Sequence, residues 1–107
     1  MQYVRVADTS EVPPGSIKAV EGIDRVKLLI INKDGRYFAL SGVCSHKGAP
    51  MERGKLKRDY LECPWHGALF KLETGRHSWP APRDLRSYPL KVSGSDIYVG
   101  VSSLDTF

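Results

Sequence analysis

Long apolar runs, side-chain amides and cysteines are all scarce in this chain of 107 residues. No stretch approaches the roughly 20 apolar residues that cross a bilayer, and the first ten residues, MQYVRVADTS, lack the basic-then-apolar pattern of a signal peptide. A soluble, cytoplasmic protein without membrane contact is expected. Amides occur only at Gln2 and Asn32, a depletion of the kind that accompanies heat resistance but points to no function. Repeats, low-complexity tracts and helical heptads are absent, and the length suits a single domain, 1–107, with one modest core. Two cysteines permit at most one disulfide, which a reducing cytosol disfavours; cysteines that keep histidines nearby are there more often metal-binding or catalytic.

The few cysteines present are not placed at random. Cys44 is followed two residues on by His46, and Cys63 three residues on by His66, so the two pairs use two of the three histidines in the chain. The third, His77, lies between Arg76 and Ser78 outside both pairs and reads as a surface residue.

Charge is also uneven. The net charge is +4, and residues 44–86 hold nine bases against five acids while the remainder is balanced at seven against seven. The excess thus falls on the segment with the Cys/His pairs, where it can steer an acidic partner, although a solvated face of mixed charge explains it as well. A nucleic-acid surface would need rings and bases along one strand face, and none is expected.

Glycine and proline punctuate the chain at short intervals, which predicts an all-β fold of many short strands. YVRVA and SIKAV alternate as strands, with EVPPG breaking between them. NKDG turns a hairpin over residues 25–40, and SGSD turns a second one near the end. Short strands are expected around Leu56, around Tyr60-Leu61 and in ALFKLETGR, with a bend at Thr74-Gly75. SWPAPRDL, with two prolines, predicts a stiff covering loop. Both Cys/His pairs fall on loops between strands.

Two thiolates and two imidazoles suit several chemistries. A Cys2His2 structural zinc site needs only four ligands, but zinc fingers pair Cys with Cys and His with His, whereas each loop here carries one of each. A [2Fe-2S] cluster explains the mixed pairs if each loop gives its Cys to one iron and its His to the other. Gly48 and Gly67, each soon after or directly after a ligand His, would let backbone N–H groups approach the sulfides; Pro50 and Pro64 would stiffen the loops, and Trp65 would provide apolar cover. A catalytic Cys-His pair lacks an orienting acid or oxyanion donors. Inert core cysteines would be the default for one lone cysteine, not for two such pairs.

CSH, sixteen intervening residues and then CPWH resembles the Rieske pattern, and HKGAPM, CPWHGALFKLETGR and WPAP extend the resemblance to Rieske-type ferredoxins over nearly the whole chain. The resemblance implies an antiparallel β sandwich or barrel with a two-loop cluster-binding subdomain, its loops within 42–84. It implies one [2Fe-2S] cluster with Cys44 and Cys63 on one iron and His46 and His66 on the other. It also implies a one-electron carrier, not an enzyme itself, between a reductase and a terminal oxygenase or similar acceptor, with the small subunit of a nitrite reductase-like complex as the alternative setting. The Rieske proteins of cytochrome bc complexes have a further Cys in each loop, a membrane helix, and Ser and Tyr hydroxyls at positions matched here by Ala68 and Phe70. Their absence predicts a potential near the lower end of the Rieske range, about −150 mV rather than about +300 mV.

Overall fold

Val26–Lys33 reads VKLLIINK, too continuously apolar for a strand with one wet face. In the computed structural model it is an inner strand of the middle layer. Leu28 and Ile30 enter one core, Leu29 and Ile31 the other, and all four are fully buried, as expected of a strand covered on both faces. Four such burials are worth about 6–12 kcal/mol before chain entropy is charged against them.

The structure describes residues 2–23, 26–41, 51–65, 67–77 and 85–101. In chain order the strands are β1 (Gln2–Asp8), β2 (Ile17–Ile23), β3 (Val26–Lys33), β4 (Arg36–Ser41), β5 (Lys55–Lys57), β6 (Tyr60–Glu62), β7 (Leu69–Lys71), β8 (Ser87–Tyr88), β9 (Leu90–Ser93) and β10 (Asp96–Val101). Short 3-10 turns occupy Thr9–Glu11 and Met51–Arg53. The strands form three antiparallel sheets: a terminal sheet β1-β10-β9, a central sheet β2-β3-β4-β8 and a small sheet β5-β6-β7. The expected all-β antiparallel architecture is therefore present. Among the described residues no helix is long and apolar enough to cross a membrane.

The terminal sheet packs Ala7, Ile97 and Val99 against Leu28, Ile30 and Ala39 of the central sheet. Its first and last strands are direct partners, with Gln2 opposite Val101. On the other side, Leu61 and Phe70 of the small sheet meet Leu29, Ile31 and Leu40, together with Met51, Leu72 and Cys63. In the small sheet Leu56, Leu61 and Phe70 stand in one cross-strand row, so every middle residue of its three-residue strands serves this core.

The β3–β4 hairpin turns as NKDG predicts. Asp34 and Gly35 both have positive φ, 54° and 92°, the two-residue geometry whose twist matches the flanking strands. Asn32, the one buried polar side chain among the described residues, accepts from the Gly35 N–H at 2.8 Å and donates through Nδ2 to the Val12 carbonyl at 2.8 Å. With its backbone bonded to Gly15 and Ser16, Asn32 fixes the EVPPG break against the hairpin and leaves no polar atom of its own without a partner.

Candidate metal centre

Cys63 begins the six-residue segment that joins β6 to β7. Its N–H donates to the Ala68 carbonyl at 2.7 Å, and the Gly67 N–H donates back to the Cys63 carbonyl at 3.1 Å. Pro64 stands at the second position of the turn, where its fixed φ is pre-set, and Gly67 has φ 72°, a left-handed conformation that costs a residue with Cβ. The loop closes at its base and leaves its tip to solvent. Cys63 is 2% exposed and sits among the apolar side chains of the small-sheet core, whereas Trp65 at the tip is 58% exposed.

A surface depression of about 320 Å³ opens beside this loop, lined by Arg53, Lys55, Glu62, Cys63, Pro64 and Gly67. Glu62 is held by Lys57 Nζ at 2.9 Å. On the approach side, the Met51–Arg53 turn is pinned to the central sheet by Glu52, whose Oε2 lies 2.7 Å from Lys27 Nζ. Burial works to raise the Glu52 pKa, but the hydrogen bond and charge of Lys27, with Arg53 nearby, outweigh it and hold the carboxyl below its usual range. Its second oxygen, Oε1, is buried without a partner, so this pin is held by one oxygen alone.

Two glycines fix the small sheet by close approach of backbones. A Cβ on Gly54 would strike the Glu62 carbonyl oxygen, one residue before Cys63. A Cβ on Gly75 would strike the Leu85 carbonyl oxygen, and Gly75 has φ 75° as well. The Gly75 N–H donates to the Lys71 carbonyl at 2.7 Å, and the Leu85 N–H donates to the Gly75 carbonyl at 2.8 Å. Gly75 and Leu85 thus clasp the base of the segment between them. Its proline-containing part, 78–84, lies outside the described residues, and so does its expected role as a cover.

Of the four residues expected to hold a cluster, the described structure contains Cys63; Cys44, His46 and His66 lie outside the described residues, as do Gly48, Pro50 and Trp79. Among the described residues no group of three or more metal-ligating side chains converges. The donor chemistry at Cys63 fits an iron-sulfur ligand: a thiol in apolar surroundings, held by a loop tied at both ends, beside an open depression. The Gly67 N–H donates to the Cys63 carbonyl, which ties the turn. Trp65 is exposed over more than half its surface, while Phe70 is fully buried in the core. His77 is exposed and pairs through its backbone with Phe70.

A profile of the Rieske [2Fe-2S] domain matches residues 2–89. The chain belongs to the Rieske family. A Rieske domain carries one [2Fe-2S] cluster and serves electron transfer, which removes the zinc alternative. Over 104 residues the chain is 35% identical to the biphenyl dioxygenase ferredoxin subunit of Pseudomonas sp. (strain KKS102), covering 95% of this chain and 94% of that protein. It is 33% identical over 98 residues to apoptosis-inducing factor 3 of Homo sapiens, where the match covers 91% of this chain but spans only 16% of that protein. The fold is similar to that of the ferredoxin of carbazole 1,9a-dioxygenase from Nocardioides aromaticivorans IC177, with TM-score 0.86, 28% identity, and 95% and 100% of the two chains covered. This Rieske chain is an electron carrier of the ferredoxin kind, a component rather than a catalyst of bond chemistry.

Gly54 and Gly75 are the positions that sequence reasoning undervalued. Thr74-Gly75 was legible as a bend, but nothing local announces the Leu85 carbonyl against it. Gly54 carries no signal at all, because the carbonyl it must clear belongs to Glu62, across the β5–β6 hairpin.

Proposed function

We propose that this Rieske domain is a cytoplasmic one-electron shuttle that takes an electron from a reductase and delivers it to a terminal oxygenase. Cys44 and Cys63 would ligate one iron, His46 and His66 the other. The single observation that carries the ligand assignment is Cys63: buried, in apolar surroundings and held by a loop bonded across its base. When bound, the cluster supplies a site that gains and returns one electron. The chain supplies the rest. Cys63 and its loop would hold the ligand in place, the core of Leu61, Phe70 and Leu72 shields the thiol side from water, and His46 and His66 would hold the second iron and pass the electron toward a partner. The oxygenase acceptor is supported by the ferredoxin subunit that matches along nearly its full length.

The whole of residues 1–107 is read as one such unit. Ala68 and Phe70 place no hydroxyl near the cluster, which favours a potential in the lower part of the Rieske range, about −150 mV. Purified protein should be reddish brown, contain two irons per chain on the order of stoichiometric loading, and give an EPR signal only after one-electron reduction. Replacing His46 or His66 should abolish or convert that signal, and replacing His77 should leave it alone. Unchanged spectra in both ligand variants would remove the assignment.

A further inference from the structure

The positive surplus around the small sheet is sharper in three dimensions than in a count of residues. Arg5, Lys18, Lys27, Lys33, Arg36 and Lys57 all have carboxylates at 2.7–3.4 Å, and Lys91 lies over the Tyr3 ring at 4.2 Å. Among the described residues, Arg53, Lys55, Arg58, Lys71 and Arg76 have no carboxylate within ion-pair distance, and all but Lys71 are exposed. These five fall between positions 53 and 76, on the small sheet and its turns. Arg53 and Lys55 line the same depression as Pro64 and Gly67, the residues on either side of the loop tip that holds the exposed Trp65. One large ring beside cations that are not in ion pairs is the arrangement of a protein-docking surface: an aromatic anchor that becomes buried supplies contact energy, and the charges steer and select.

We propose that Arg53, Lys55 and Trp65 form a docking surface for an acidic redox protein, whose carboxylates meet the two cations while an apolar notch takes the indole. This rests on the electron-carrier reading and adds to it the sign of the partner's surface and the anchor residue. A nucleic acid fits less well, because Glu62 also lines the depression and, among the described residues of the small sheet and its turns, one large ring is exposed, whereas single strands are held by successive stacking platforms.

The test titrates fluorescein-labelled peptides with the cluster-loaded protein at about 50 mM and about 150 mM salt, reading anisotropy. The probes are octaglutamate, an octapeptide with six Glu around a central Leu-Leu pair, octalysine, and an oligothymidylate of eight nucleotides. The acidic peptides are expected to bind, more weakly at the higher salt, and octalysine is not. Arg53→Gln/Lys55→Gln should weaken both acidic peptides about fivefold or more. Trp65→Ala should erase the advantage of the Leu-Leu peptide and leave octaglutamate unchanged. Arg5→Gln/Lys18→Gln removes the same net charge from cations that already have partners and should change binding less than about twofold. Equal weakening by the two double variants would reduce the surface to net charge and overturn the proposal, as would tighter binding of the oligothymidylate. The absorption spectrum after cluster loading is attempted separates the two readings: a coloured protein that ignores the peptides defeats the docking surface alone, and a protein that stays colourless yet binds them defeats the electron carrier alone.

Discussion

The two faces of the central sheet are built differently. Toward the terminal sheet, long strands meet in an aliphatic layer of Leu28, Ile30, Ile97 and Val99, and the ladder between β1 and β10 runs almost the full length of both. Toward the small sheet, the strands are three residues long, and their positions depend on Gly54, Gly75 and the Lys27–Glu52 pin. The first face is held by area buried along long ladders, the second by a core of similar size together with backbones that pass close together. Generic packing tolerates small errors; a loop that presents a metal ligand does not, and short strands tied at fixed points keep that loop's base in place.

If the faces differ in this way, substitutions of similar thermodynamic cost should differ in consequence. Gly75→Ala should have the largest effect: a strained φ and a clash with Leu85 together cost about 3 kcal/mol, and iron content should fall sharply. Leu28→Ala should cost about 3 kcal/mol by opening a cavity in the opposite core, yet the folded fraction should keep a normal visible spectrum. Chemical denaturation with iron analysis on both variants checks the contrast, which fails if iron is lost equally.

A smaller effect is expected at Glu52. Its carboxyl titrates lower in the folded chain than in the unfolded chain, so its contribution is present above the unfolded value of 4.5 and fades as pH falls through the lowered folded value. Glu52→Gln should therefore cost about 1 kcal/mol at neutral pH, with the gap from the parent closing below about pH 4; urea midpoints across that range read it. Ala68→Ser should be the mildest in stability. If the new hydroxyl donates to the cluster with a bond worth about 1 kcal/mol, the potential should rise by about 40 mV, as voltammetry would show; no rise would mean that Ala68 does not face the cluster.

The sequence announced the elements with local grammar. NKDG placed the β3–β4 hairpin, SGSD placed the last one, and YVRVA placed β1. The Cys/His spacing named the chemistry before any fold was known. Less was legible where the cause is distant. VKLLIINK was readable as a strand, but its burial on both faces depends on two partner sheets, one formed from the chain's beginning and end. The turn at Thr9–Glu11 did leave a trace in Asp8 and Glu11, which bond each other's backbone N–H region as a capping box. Charge could be counted along the chain, but not which cations already had partners: Arg36 meets Glu73 and Lys27 meets Glu52 across long stretches of sequence.

The pairing of Gln2 with Val101 has a consequence beyond stability. Because the first and last strands of the fold lie side by side, the polypeptide enters and leaves the unit at one place on its surface. Such a unit is portable: it can be joined to, or set within, a much longer polypeptide while the host needs to accommodate only a single point of attachment. The geometry that seals the terminal sheet thus also suits the fold to travel between small carriers and large multidomain proteins.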